Sequence, residues 1–203
     1  MTKSLIGYKI ATNLALPPLS AVMKEYWLAS NGVFVRAKRQ GLYACIPIAS
    51  CHIPGLTAVD PSVQMEYPRV SASIISTMLS AAQAQGKKEI LFYLSFVDSN
   101  WQLDIPEQVA SPTSVKPLVA SLGSPYETAL IEVHSHHFLK AQFSLTDDLE
   151  ESGKFRIFAV MGEIFTRPTI SVRIGIYSHF WQIPANWVVE MPHELIDSFE
   201  LCS

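Results

Sequence analysis

The chain has 203 residues, 49% of them apolar and 16% charged, with a formal net charge of −3. A mean hydropathy of +0.22 and a charge content below the usual share of about a quarter exclude a disordered chain. A pI near 6.1 argues against a nucleic-acid or anionic-membrane partner gathered by bulk charge. The length suits one domain or one and a half, with enough apolar material for a proper core. Cys45, Cys51 and Cys202 are odd in number and form no CxxC pair, so no disulfide framework is expected and a reducing compartment is favoured. The first twenty residues lack the apolar core and cleavage site of a signal peptide, and no stretch approaches the roughly 20 apolar residues of a membrane helix. The expectation is a soluble, cytoplasmic protein.

In chain order, residues 1–32 are interrupted by Pro17 and Pro18, with a short helix plausible over 19–30. VFVRAKRQGLYACIPIA predicts two strands around a turn at Gly41, and Arg36, Lys38 and Arg39 read as a solvated hairpin tip. Residues 49–67, with Pro54, Gly55 and Pro61, are mostly connection. From Pro68 the period changes: Val70, Ile74, Ile75, Met78, Leu79 and Ala82 fall at helical spacing, and Gly86 is a natural stop. EILFYLSFV, from Glu89 to Val97, predicts a strand, and WQLDI a second. The Pro-rich segment 106–127 reads as an irregular loop, open to a role as lid or partner-binding loop. A strand ALIEVHSH and a helix from Ser144 to near Gly153 follow, then FRIFAVMGEI and TISVRIGIYSHFWQI as two strong strands and a short amphipathic tail. The fold class expected is α/β (α+β) around a mostly antiparallel or mixed sheet. A β-rich extension with a hairpin is expected over residues 1–64, preceding a main domain over 65–203.

One constellation carries chemistry. In His134-Ser135-His136, at the end of a predicted strand, side chains two apart face the same way. Two imidazoles there converge on one ion at about 2.0–2.1 Å, the zinc–nitrogen distance. Asp147, at the start of the next helix, supplies a hard anionic oxygen. Two histidines and one carboxylate leave a fourth tetrahedral position open, which separates a catalytic from a structural zinc site. Each piece has a plainer reading, since Ser144 and Asp147 also fit a helix cap. The joint pattern H-x-H-x7-S-x2-D arises by chance in roughly one in a few thousand chains of this length, and it outweighs the separate readings. A zinc hydrolase also needs a carboxylate off the metal as general acid/base. Glu89 is the first candidate, because it opens the strand after the helix and burial would raise its pKa. Glu132 competes from the histidine face of the metal strand, and Glu66 and Glu163 are more remote.

HSHHFLKAQFSLTD resembles the JAMM signature of the JAB1/MPN/Mov34 metalloproteases, a glutamate far upstream of H-[ST]-H-x7-S-x2-D, over roughly residues 68–180. Within that family IEVHSHH, FSLTDDLEE, FRIFAVMG and VRIGIYSHFWQIP are similar to the JAB-type proteins of bacterial plasmid cassettes called PRTRC. The resemblance implies a JAB/MPN-like mixed sheet flanked by helices, with cytidine-deaminase-like layering. It implies Zn2+ held by His134, His136 and Asp147, Glu89 as general acid/base, and Ser144 stabilising the oxyanion. It further implies hydrolysis of a peptide or isopeptide bond at the tail of a ubiquitin-like or sulfur-carrier protein, with a ThiF/E1-like enzyme as a possible partner. The pattern departs from eukaryotic members at His137, where they usually carry proline; the extra imidazole is a neighbouring donor or an idle surface residue, the second being favoured. Asp148 leaves a one-residue slip in the ligand open.

The remaining features weigh less. His52, His179 and His193 read as ordinary core or surface histidines, and Trp101, Trp181 and Trp187 as core-edge residues that also suit a groove. No GxGxxG, Walker or CxxC motif points to a nucleotide. A non-catalytic MPN-type interaction scaffold is the second reading. Amidohydrolase barrels carry HxH early in longer chains, and cupins need other spacings.

Overall fold

The computed structural model describes residues 5–118 and 125–199. Two compact units emerge: Met1–Glu66 with Glu151–Phe155 and Ile174–Trp181, and Tyr67–Glu150 with Arg156–Arg173 and Gln182–Ser203.

The first unit holds a five-stranded sheet in the order β1-β2-β3-β4-β5: β1 Ile6–Ile10, β2 Lys24–Ala29, β3 Gly32–Arg39, β4 Leu42–Ala49 and β5 Ser62–Met65. The helix expected over 19–30 is absent. Lys24–Ala29 alternates instead, Glu25 and Trp27 turning inward while Tyr26 and Leu28 turn out, which is the period of a strand with one buried face. Gly41, at φ +79°, makes the β3–β4 turn that a residue with a Cβ would adopt only under strain. The connection expected over 49–67 includes β5, paired antiparallel to β4.

Arg36 corrects the hairpin-tip reading. It lies in mid-strand, is buried, and its Nε donates to Glu25 Oε2 at 2.6 Å, because β2 and β3 pair Glu25 opposite Arg36. The same carboxylate accepts from Trp27 Nε1 at 3.0 Å and, at Oε1, from the Ser20 amide at 3.0 Å. Beside this network lies an apolar cluster of Ala11, Trp27, Ala29, Phe34, Cys45 and Val59.

The second unit begins with helix α1, Ala72–Ala84, burying Ile75, Met78, Leu79 and Ala82. Then come β6 Leu91–Val97, β7 Asn100–Asp104, β8 Gln108–Ser111, β9 Ser114–Pro117, α2 Pro125–Thr128 and β10 Ile131–His136. After α3, Leu145–Glu151, the chain forms β11 Phe155–Gly162, β12 Thr169–Ile176, β13 His179–Ile183 and β14 Ile196–Asp197. The main sheet runs β13-β12-β11-β10-β6-β7, with β14 on β12. It is mixed, since β10 is antiparallel to β6 and parallel to β11. The architecture is therefore α+β, a mixed sheet with few helices.

Two further expectations are corrected. Within 106–127 the chain forms the β8–β9 hairpin, closed by Ser111 and Ser114 through their hydroxyls at 2.9 Å; residues 119–124 fall outside the described ones. The single strand expected over 169–183 is two strands, broken at Tyr177 and Ser178, whose φ values of 46° and 75° reverse the chain.

Burial works to raise the Glu25 pKa, but the Ser20, Trp27 and Arg36 donors outweigh it and lower it from 4.5 to about 2. The ion pair thus stabilises the fold fully above pH 4.5 and loses that contribution as pH falls toward 2. Glu25→Gln should destabilise the protein by about 3 kcal/mol at pH 7, because it leaves the buried Arg36 without a counter-charge. In urea unfolding across pH, the gap between wild type and variant should close between pH 4.5 and 2; a gap independent of pH would refute this.

Candidate metal centre

The centre is built at the carboxyl end of β10. Alternation along this strand turns His134 and His136 to one side and Ser135 to the other. The chain then crosses through α3 to the parallel neighbour β11, and this crossover carries Asp147 to the end of β10 where the histidines stand. His134 Nε2 lies 3.2 Å from His136 Nε2 and 3.3 Å from Asp147 Oδ1. All three ligand atoms lie within 4.8 Å of one another.

Glu89 arrives from the other neighbour. Antiparallel pairing sets His134 opposite Leu91, and two further steps of that register bring Glu89 opposite His136. Its Oε1 lies 4.0 Å from His136 Nε2, and the side chain is 3% exposed. Three consecutive amides are held by distant parts of the chain: Glu89 N–H donates to the Ser111 carbonyl at 2.9 Å, Ile90 N–H to Ser135 Oγ at 3.1 Å, and Leu91 N–H to Gln108 Oε1 at 2.8 Å. The β8–β9 hairpin and the serine between the histidines thus fix where Glu89 stands. Neither has a role in the sequence reading, although Ser135 occupies the [ST] position of the H-[ST]-H pattern; the signal for the hairpin is Ser111 and Ser114 around Pro112.

Ser144 and Asp147 form the helix cap that their spacing suggests. The Ser144 amide and hydroxyl donate to Asp147 Oδ2 at 2.6 and 2.7 Å, and the Asp147 amide returns a bond to Ser144 Oγ at 3.2 Å. Oδ2 therefore serves the cap while Oδ1 faces His134. Burial acts to raise the Asp147 pKa, but the hydrogen bond and charge of His134, with the Ser144 donors, hold it well below the usual carboxylate range. For Glu89 burial prevails, pushing its pKa up to about 7 against the pull of His134, with Asp147 and Glu150 adding to the rise. Burial, then the charge of His134, lowers the pKa of His136. At neutral pH this set presents a neutral His136 imidazole, an ionised Asp147 carboxylate and a Glu89 poised between its two forms.

The other candidates are placed elsewhere. Glu132 is buried and paired with Arg156 at 3.1 Å, and Arg156 also donates to the Tyr126 carbonyl and stacks over that ring. Glu66 is exposed and bridges to Lys38 at 3.0 Å. Glu163 follows β11 with φ 52°, its amide donating to the Leu139 carbonyl at 2.8 Å. Asp148 pairs with Arg173 at 2.5 Å rather than joining the histidines. His137, favoured as a surface residue, is buried, with Nε2 3.0 Å from the Ala82 carbonyl. His52 and His193 are exposed, Trp187 is 46% exposed, and Trp181 is half-buried on β13. Trp101 donates to the Pro68 carbonyl at 2.8 Å and meets Phe96 edge-on.

Does this donor set fit a metal? Around an ion with bonds of about 2.0–2.1 Å, tetrahedral ligands stand about 3.3–3.4 Å apart. The two spacings at His134 Nε2 are 3.2 and 3.3 Å, and two imidazoles with one carboxylate are the ligands zinc takes in catalytic sites. The set fits.

No protein-family model and no curated protein sequence matches this chain. Among solved structures it is similar to a JAB1/MPN domain protein from Archaeoglobus fulgidus, with 13% identity and a TM-score of 0.40 over 64% of this chain and 99% of that one.

Gly162, opposite His136 in the β10–β11 register, lets the chain leaving the histidines fold back onto β11. A Cβ there would stand 2.1 Å from the Ala141 amide nitrogen and 2.4 Å from the Lys140 carbonyl carbon. Gly162→Ala should push residues 139–141 outward, shift His136 through its contact with the Lys140 carbonyl, and weaken divalent-metal binding about tenfold or more with secondary structure retained. Titration of cobalt with circular dichroism in parallel reads both; unchanged affinity would show that the close approach does not set the ligand.

Proposed function

We propose that the chain is a zinc-dependent peptidase or isopeptidase of the JAMM type, a hydrolase acting at the C-terminal tail of a ubiquitin-like or sulfur-carrier protein. One observation carries this reading: two histidines and an ionised aspartate converge at zinc-like spacing beside a buried glutamate whose pKa stands near 7. A merely structural site has no need of that fourth residue. His134 Nε2, His136 Nε2 and Asp147 Oδ1 would hold the ion. Zinc there would supply a Lewis acid able to polarise water and a scissile carbonyl.

The protein's own part follows from the geometry. Asp147 stays ionised because His134 and Ser144 hold its negative charge. Glu89, a buried carboxyl beside the cluster that is not one of its ligands, takes a proton from the attacking water and delivers it to the leaving amine, as general acid/base transfer needs. The buried amide contacts at residues 89–91 keep this carboxyl from swinging away. Ser144 stands beside the cluster as an oxyanion donor, provided that its hydroxyl turns from Asp147 Oδ2 to the substrate. A ThiF/E1-like enzyme is the partner proposed with such a substrate, and a PRTRC-type cassette the setting.

That hydroxyl supports a second reading, a non-catalytic MPN-type scaffold of a plasmid-borne gene cassette. Ser144 Oγ is already engaged in the helix cap, so the cluster as it stands serves structure as well as chemistry.

Elemental analysis of protein purified without chelators should find about one zinc per chain, and markedly less in Asp147→Ala. Glu89→Gln should keep the zinc and lose about 10²- to 10⁴-fold in turnover of ubiquitin-like fusions. Full zinc with no hydrolysis in the wild type would favour the scaffold. A well-folded wild type that takes up no added zinc would remove the hydrolase reading and leave the scaffold in the lead.

A further inference from the structure

The helix that carries Asp147 to the metal centre buries almost nothing of itself. Of the seven residues of α3 only Glu151 is buried, and Leu145 and Leu149 are 82% and 76% exposed. A helix this short is not stable alone, and helices normally hold to a sheet by an apolar face. α3 presents no such face to the sheet. The position of Asp147 therefore depends on polar and aromatic contacts made around the start of the helix.

Two of these contacts are too local or too exposed to set that position. The Ser144–Asp147 cap shapes the first turn, but it lies within the helix start and does not fasten it to the sheet. The Lys116–Glu150 bridge, at 2.9 Å, joins α3 to the β8–β9 hairpin, and its side chains are 65% and 36% exposed. Pairs as exposed as this gain little over water and are loosened by side-chain entropy.

Arg173 supplies the firmer tie. It stands on β12, two strands away from β10 in the sheet order, a separation of about 10 Å. Its side chain is buried, its Nη1 donates to Asp148 Oδ1 at 2.5 Å, and its guanidinium carbon lies 3.9 Å from the centre of the Phe143 ring. Phe143 precedes the cap residue and Asp148 follows the ligand, so one guanidinium grips the chain on both sides of Ser144–Asp147. A planar guanidinium can bond in its plane and stack on its face at the same time. Successive helix residues diverge by about 100°, which lets Asp147 face His134 while Asp148 faces Arg173. The Phe143 ring in turn meets the His134 ring edge-on, with 6.4 Å between centroids. The same side chain thus braces the carrier of one ligand and the ring beside another.

We propose that Arg173 is a positioning residue of the metal centre: by holding Asp148 and Phe143 it docks the start of α3 on the sheet and so brings Asp147 and His134 to one ion. Charge alone does not account for a guanidinium at this place, because a cation beside the ligands opposes the binding of a metal ion. Its geometry does account for it. The consecutive aspartates divide the task, the first meeting the ion and the second securing the helix that presents the first. This inference rests on the proposed metal binding and is independent of the proposed hydrolysis.

The test is titration of the full chain with cobalt(II), followed by its visible absorption, on protein that circular dichroism shows to be folded. A change that merely destabilises the fold leaves that affinity unmoved. Arg173→Met should weaken cobalt binding about tenfold or more, the usual effect of losing a residue that orients a metal ligand. The sign is informative, since an arginine acting through its charge alone would give tighter binding on removal. Phe143→Leu changes no charge and should weaken binding in the same direction; it carries the test should Arg173→Met fail to fold. Because the two residues act through one stack, the double variant should lose little more than the weaker-binding single variant. Unchanged or tighter binding in Arg173→Met, unchanged binding in Phe143→Leu, or losses that multiply in the double variant would overturn the proposal and leave the metal site standing. A folded wild type that binds no cobalt would overturn the metal reading itself, and this proposal with it.

Discussion

The candidate centre depends on the antiparallel register between β6 and β10. That pairing, which sets His134 opposite Leu91, decides which residue before β6 meets which residue at the end of β10. A slip of one residue would turn every side chain of the strand to the opposite face. Glu89 would then point away from the histidines, and Ser135 would stand where an imidazole now does. Ser135 guards against this slip. Its hydroxyl and amide engage the amide and carbonyl of Ile90, a two-way bond available in one register only. The small polar residue between the histidines is thus as much a part of the arrangement as the histidines themselves.

The first unit is organised on the same economy of cross-strand pairs, but around a charge. Glu25 and Arg36 face one another across β2 and β3, and the indole of Trp27 joins both, donating to the carboxylate and lying under the guanidinium at 4.8 Å. Buried ion pairs of this kind add little stability compared with apolar packing, yet they penalise every arrangement that separates them. On the outer face of the same strand Lys24 lies over the rings of Tyr26 and Tyr177. One strand therefore carries an ion pair on its inner face and a cation packed on aromatic rings on its outer face.

What was legible in the sequence was what has a single strong period or a fixed spacing. Helix α1, strand β6 and the β10–α3 segment could be read because their apolar positions repeat cleanly, and His134, His136 and Asp147 because their separation is narrow enough to test. Strand β2 was not legible, because a charged residue and an indole share its buried face and mask the alternation. The β8–β9 hairpin was hidden by Pro106, Pro112 and Pro117, which suggest irregular chain although they fall in the connection before β8, in the turn and at the end of β9, where proline costs little. The Tyr177–Ser178 turn carries none of the Gly, Asn or Asp that its positive φ angles favour. Burial of Arg36 and His137 depends on partners far along the chain, Glu25 in one case and Ala82 in the other, and no local pattern records such pairings.

Asp147 divides its carboxylate between two tasks, one oxygen to the first turn of α3 and the other to His134. That division narrows what the position can accept in a way that neither task would alone. Asparagine can also accept from the Ser144 amide through its side-chain carbonyl, but it brings no negative charge to the histidines. Glutamate is the usual acid at this position of a capping box, but its longer arm carries the second oxygen away from where it meets His134. The shortest acidic side chain is the one that meets both demands. The helix start and the candidate metal centre are in this sense a single unit of inheritance, because one side chain serves both.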